Sequence, residues 1–557
     1  MTLSHPFTPW LDDFLSTYFR QNPVDATFIG MHGHDHALPD CTPEGLAAAV
    51  ADLTSLRDRL ATIPDDGLTT AQRHDHRLAT GFLDIRLWEL GSGHFALGNP
   101  SYYTGEAIFG IIALFQRDNE PFAERVAAAT TRMRAISAFL AQGRANIASA
   151  PVAWAERAIR ESRSALVYFS SGLRILAEER AVADPAFLEA ADAAHAAFTE
   201  HLAWLESILL ANPNEAYSSG EEAFNRYLSA GHCLPPEQDA AWVDTYARNA
   251  LAIAQRELES RAAALDPDRT WQEQLKGLAD LHPTADDYYA AYGRVWNTAR
   301  DAALAADLVT WPDFPIDFVP FPASDHDAAA GLYYLFYRCP PALGDHRSHR
   351  YLVTPVEPDM APDEQERRLR ATNDSVIKLN HVVHHGGLGH HVQNWNAFRA
   401  ESGIGQFAGT DAASRVAFFA AGTLVEGWAC YATDLAEEIG FLTPLEALSE
   451  QQSRVRMAAR AVADVAIHTG AMTLAEAAAF YEQEAGMPPA AAMSEAVKNS
   501  MFPGAAMMYL SGTNAIHALR AELTAREGDA FSLRAFHDRF LRYGAVPVAL
   551  IAADMLA

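Results

Sequence analysis

Long runs in which apolar residues recur every three or four positions constrain this chain more than anything else in it. Residues 122–210 are rich in Ala, Arg and Glu in that rhythm, and residues 236–266 repeat it, so both predict long amphipathic helices. Helix-start signals recur: Thr42-Pro43-Glu44, Thr443-Pro444-Leu445-Glu446, and Thr473 followed at capping-box spacing by Glu476. The Ala-rich stretches read as helix faces rather than linkers, and there is no internal repeat. The expected fold class is mostly α. At 557 residues the chain exceeds one core. A helical lobe over 1–300 and a site-bearing lobe over 301–557 are expected, both parts of one family domain.

The exception is 307–357. There WPDFPIDFVPFP, YYLFYRC and HRYLVTPV alternate aromatic and β-branched residues among prolines, which predicts a few short strands. A helix from Pro362 to about His385 is expected next, then a glycine-rich break. A further helix should run from about Asp411 to Glu438, with Gly440 as its C-cap.

A formal charge of −29 argues against nucleic acid or an anionic membrane as partner. Cys41, Cys233, Cys339 and Cys430 lie far apart and form no CxxC pair, so a disulfide framework or cysteine zinc site is not expected. The opening MTLSHPFTPWLDDF lacks a basic segment followed by an apolar run, and no stretch of eighteen uncharged apolar residues occurs. On these grounds a cytoplasmic location is expected.

Five of the 22 histidines fall within eleven residues: His381, His384, His385, His390 and His391, in HVVHHGGLGHHVQ. On an unbroken helix His384 and His390 would point to different faces. Gly386-Gly387-Leu388-Gly389 removes that constraint, because glycine tolerates backbone conformations that fold the second histidine back. His381 and His385, four apart, are an alternative pair at the zinc-helix spacing, although Val382 then stands where a catalytic glutamate belongs. Spacing alone does not choose between the two registers.

The wider pattern resembles the bacterial domain-of-unknown-function family 885, metallopeptidase-like proteins marked by HExxPGHxxQ and EGWAxYAE. Here the corresponding stretches are HHGGLGHHVQ at 384–393 and EGWACYAT at 426–433. Near the start Pro23, Val24, Asp25, Ala26, Thr27, Gly30, His32, Asp35 and Leu38-Pro39-Asp40 match the family's opening. Near the end Arg460, Asp464 and His468 match RxxxDxxxH, and Pro503-Gly504, Tyr509 and Gly512 match PGQALSYxxG. The resemblance implies a zincin-like helical fold with short strands beside the metal-site cleft. It also implies a divalent metal held by His384, His390 and Glu426. Two imidazoles and a carboxylate suit zinc, with iron or manganese as alternatives.

The departures bear on chemistry. His385 stands where the family has the glutamate of HE, which takes the proton from metal-bound water. Leu388, Thr433 and Ala505 replace the motif proline, glutamate and glutamine. The expected function is a metal-dependent hydrolase acting on a small peptide or amide, with His385 as the base. Two alternatives stand beside it. One is a non-hydrolytic iron and oxygen enzyme with a three-histidine, one-glutamate site; the other is a degenerate peptidase that binds peptides.

Tyr509 is the candidate oxyanion donor. His468, with Asp464 four residues before it, is a second donor or a supporting pair, and Gln393 and His391 are weaker candidates to orient ligands. His32, His34 and His36, like His74 and His76, are assigned to the fold, because no matched carboxylate set accompanies them.

Overall fold

The computed structural model describes residues 5–116, 120–329, 331–332, 340–344, 349–412 and 416–557. They are mostly helical, as the periodicity requires. One compact unit comprises Met1–Tyr217, Phe321–His346 and Thr410–Ala417; the other comprises Ser218–Pro320, Arg347–Gly409 and Phe418–Ala557. The division does not fall at residue 300, because chain order does not report which helices share a core.

In the first unit α1 (Pro100–Gln116) is buried along almost its whole length and packs on α2 (Phe122–Asn146) and α3 (Val152–Val167), while α4 (Pro185–Trp204) covers α2. Arg132 of α2 is fully buried and donates to the carbonyls of Gly110 and His34 and to Thr27 Oγ1. The hydroxyl of Thr27 in turn donates to Asp35 at 2.6 Å, and His32 Nδ1 lies 2.9 Å from the same carboxylate. The HGHDH segment is thus tied into the fold.

The second unit carries the motifs. It contains α5 (Ala240–Leu265), α6 (Tyr288–Ala305), β1 (Ile316–Pro320) and β2 (His349–Val353), the strands pairing in parallel with Phe318 opposite Tyr351. Of the three strand-like runs, WPDFPIDFVPFP and HRYLVTPV each yield one strand, and YYLFYRC lies outside the described residues. The expected Pro362–His385 helix is divided. A regular helix ends at Ala371, Asn373 caps a new start, and the chain passes into a wide π-helical segment, α7 (Ile377–Gly386). After the glycines come α8 (His390–Ala397) and α9 (Gly422–Glu438); α9 begins eleven residues later than expected. Asp411 instead forms an antiparallel bridge with Val416.

The helix start predicted at Thr443 opens α10 (Pro444–His468) with a capping box to Glu446, and the capping box predicted at Thr473 and Glu476 is also formed. The α11 helix (Pro489–Met501) and α12 (Met508–Glu527) complete the surroundings of the site.

The α9–α12 contact is unusually close, and two motif glycines explain it. A methyl group on Gly427 would lie 2.6 Å from the carbonyl carbon of Gly512, and one on Gly512 would lie 2.9 Å from the Cα of Gly427. Contact at that distance brings backbone against backbone, so side-chain volume at either position would force the helices apart.

Candidate metal centre

The glycine break brings the motif histidines together. Gly389 N donates to Val383 O at 2.8 Å and Val392 N to Gly387 O at 3.2 Å, which turns α8 back against the end of α7. Trp296 Nε1 donates to Gly386 O at 2.7 Å and Trp428 Nε1 to Leu388 O at 2.9 Å, so two indoles pin the turn from outside. Phe318 of β1 presses on Gly386, where a methyl would lie 2.9 Å from its ring edge.

The ring centroids of His384 and His390 are then 5.0 Å apart. Glu426, one turn into α9, places Oε2 3.5 Å from His384 Nε2 and 3.7 Å from His390 Nε2. His385 joins the same cluster: its ring lies 4.6 Å from that of His384 and 5.3 Å from that of His390. Among the described residues, ligand atoms of His384, His385 and His390 lie within 4.8 Å of one another.

Hydrogen bonds orient the imidazoles. His385 Nδ1 sits 2.7 Å from Asn380 O, an acceptor only, so that nitrogen carries the proton and Nε2 keeps its lone pair. Burial pushes the His390 pKa down to about 4, and burial with the neighbouring His384, His390 and His381 pushes that of His385 well below the usual range. Both are neutral at pH 7, as ligands or proton acceptors must be. Burial raises the pKa of Glu426, but its hydrogen bond with His384 and the proximity of His390 and Arg460 outweigh that and hold the carboxyl at about 2. The cluster therefore combines the neutral imidazoles of His385 and His390 with one ionised carboxylate beside His384, a donor set that fits a divalent cation.

The structure separates the two registers left open by spacing. His381 Nδ1 lies 2.7 Å from Tyr351 OH, and His381 stands outside the group of three. His391 points elsewhere too, with Nε2 2.7 Å from Phe314 O and its ring stacked on Phe314 at 4.8 Å. Gln393 is buried beside His390.

His468 is fully buried: Nε2 donates to Asn499 O at 3.0 Å, and Nδ1 accepts from Ser219 N at 3.3 Å. Both ring nitrogens are committed, which suits a structural post and, of the two roles expected, the supporting pair with Asp464 rather than a second oxyanion donor. Asp464 is equally buried and accepts from Gly504 N at 3.1 Å and Met507 N at 2.9 Å. Gly504, at φ +74°, makes the turn that opens α12, so Asp464 fixes the start of the helix carrying Tyr509.

Tyr509 is partly exposed, and the Arg460 guanidinium lies over its ring at 5.0 Å. Arg460 was not assigned to the site from sequence. The signal was there in the four-residue spacing Arg456, Arg460, Asp464, His468, which lines one face of α10.

The whole chain aligns in space with two solved structures. One, described as a "putative lipoprotein of unknown function" from Shewanella oneidensis, is 22% identical, with a TM-score of 0.78 and full coverage of both chains. The other, a "putative lipoprotein" from Colwellia psychrerythraea, is 17% identical, also with a TM-score of 0.78, over 100% of this chain and 99% of its own. At such identities the likeness is one of fold. These relatives overturn the expected cytoplasmic location, since lipoproteins are membrane-anchored or secreted. The separated cysteines on which that expectation leaned are compatible with either side of a membrane. No helix among the described residues is long and apolar enough to cross a membrane. No curated protein matches the chain. The profile of a bacterial family of unknown function, domain-of-unknown-function family 885, matches residues 23–555, and the chain belongs to that family.

Proposed function

We propose that this chain is a metal-dependent, hydrolase-like enzyme acting on a small peptide or amide. His384, His390 and Glu426 hold the cation, zinc before iron or manganese, and His385 replaces the missing glutamate base. The observation that carries this reading is the placement of Glu426 Oε2 at 3.5 Å and 3.7 Å from the two Nε2 atoms. Ligands about 2.0–2.1 Å from a tetrahedral zinc are separated by about 3.4 Å, and both carboxylate–imidazole separations are close to that spacing. Bound there, the metal would polarise a carbonyl and acidify water.

The chain's own groups supply the rest. His385, its Nδ1 proton held by Asn380 O, offers Nε2 to accept a proton beside the cluster and return it to the leaving amine. Tyr509 is the proposed donor toward developing negative charge, its ring held under Arg460 and its helix started by Asp464. A second reading has its own support: three imidazoles within 4.8 Å of one another would also make a three-histidine, one-glutamate site for iron and oxygen chemistry.

His385→Ala separates them. Assayed on peptides and amides with metal-loaded protein, the variant should lose roughly two to four orders of magnitude in turnover and keep its metal. Loss of the metal would assign His385 as a ligand and favour the second reading. Absence of hydrolysis by the loaded wild type across the panel would reject the hydrolase reading.

A further inference from the structure

Three members of the α10 stripe are committed to protein partners. His468 and Asp464 hold the α11 end and the α12 turn. Arg460 meets Glu495 through two contacts, at 2.8 Å and 2.9 Å. Arg456 differs. Its side chain is half-buried and, among the described residues, makes no ion pair; its Nε, like that of Arg460, lies inside the protein without a hydrogen-bond partner. Arginine is costly to bury unless an anion meets it, and its planar fork matches a carboxylate in bidentate fashion.

The surrounding charges do not satisfy Arg456. They are the like-charged Arg460 and the carboxylates of Glu495 and Glu450, with the Cys430 thiol alongside. Glu495 is already shared by Arg460 and by Lys498 Nζ at 3.0 Å. Glu450 accepts from Thr433 Oγ1 at 2.8 Å, and burial pushes its pKa up to about 7, which weakens it as a counter-charge. Arg456, Arg460 and Lys498 thus face Glu495, already shared, and Glu450, a weakened counter-charge, in a chain whose net charge is −29.

The position is as telling as the charge. Arg460 lies near Glu426 and Arg456 near Cys430; Cys430 follows Glu426 by four residues on α9 and Arg456 precedes Arg460 by four on α10, so about 6 Å of helix separates the members of each pair. That is within the reach of two extended amino-acid residues.

We infer that Arg456 anchors a free carboxylate of the substrate, which makes the substrate class a dipeptide or an N-acyl amino acid with an unblocked C-terminus. The inference rests on the hydrolase reading for the bond cleaved, and on Arg456 and its neighbours for the carboxylate.

The test uses the metal-loaded full chain and a panel of dipeptides, each offered as the free acid and as the C-terminal amide. Binding is measured by calorimetry on wild type, Arg456→Gln and Arg456→Lys, with metal content and melting temperature measured on each. Wild type should bind the acids at least tenfold more tightly than the amides. Arg456→Gln should abolish that preference with metal content unchanged, and Arg456→Lys, which keeps the charge but loses the fork, should restore only part of it. Should Arg456→Gln not fold, the acid-to-amide ratio on wild type and on Arg456→Lys decides. Equal binding of acids and amides by wild type, no binding of any acid, or a preference that survives in Arg456→Gln would each overturn the anchor. Acids that bind preferentially and are never cleaved would keep the anchor and remove the hydrolase reading. Cleavage of acids and amides alike would do the reverse.

Discussion

Replacing Gly389 by alanine perturbs the site without touching a ligand. A methyl group there overlaps the His384 carbonyl oxygen, lies 2.7 Å from the His384 carbonyl carbon and 2.9 Å from Val383 O. All three neighbours are backbone, and they belong to the turn that orients His384, so no side chain can swing aside. Overpacking of this kind costs typically 1–3 kcal/mol, and contact with backbone places it at the upper end, about 3 kcal/mol. For a unit of this size that corresponds to a fall of a few degrees in melting temperature. The larger effect is geometric: relief of the overlap must move α8 away from α7 and carry His390 out of reach of Glu426. Gly389→Ala is expected to lower the melting temperature by a few degrees and to weaken zinc binding at least tenfold in a chelator competition assay. Unchanged melting and unchanged zinc affinity would refute the argument that the glycine break builds the site.

Two further outcomes follow. Tyr509→Phe keeps the ring beneath Arg460, so kcat should drop tenfold to a thousandfold with KM within a few-fold and stability nearly unchanged; full activity with a marked loss of thermal stability would make Tyr509 a packing residue. Acid should unfold the protein through buried neutral histidines. His232 and His537 are fully buried, and burial lowers each pKa from 6.5 to about 4. The unfolded chain therefore binds more protons than the folded one between those values. Their contribution is complete above pH 6.5 and is lost as pH falls toward 4, by up to about 3 kcal/mol each. Denaturant midpoints that stay flat from pH 7 to 4 would contradict this.

Much of the helical scaffold was legible, because capping and amphipathic rhythm act locally. Thr443 and Glu446 satisfy orphan helix donors in any context, and the structure shows that box formed. Tertiary pairing was not legible. Nothing in IDFVP or HRYLV announces a parallel pair, and nothing local stops a helix from starting at Asp411. The gathering of His384, His390 and Glu426 could be expected from the glycine break together with the order of the motifs. The commitments of His468 could not, because its partners Ser219 and Asn499 come from distant segments. Arg460 was matched to the RxxxDxxxH motif but given no role, for the same reason: its contacts with Glu495 and Tyr509 exist only once α10, α11 and α12 pack together.

The central claim is that His384, His390 and Glu426 hold a metal, and the most direct test is the metal content of protein purified without chelators, measured by plasma mass spectrometry. Wild type should carry close to one divalent ion per chain. His384→Ala, His390→Ala and Glu426→Ala should each lose it, and His32→Ala and His74→Ala should keep it. A wild type without metal that also fails to take up zinc, or retention of the metal in all three ligand variants, would contradict the account.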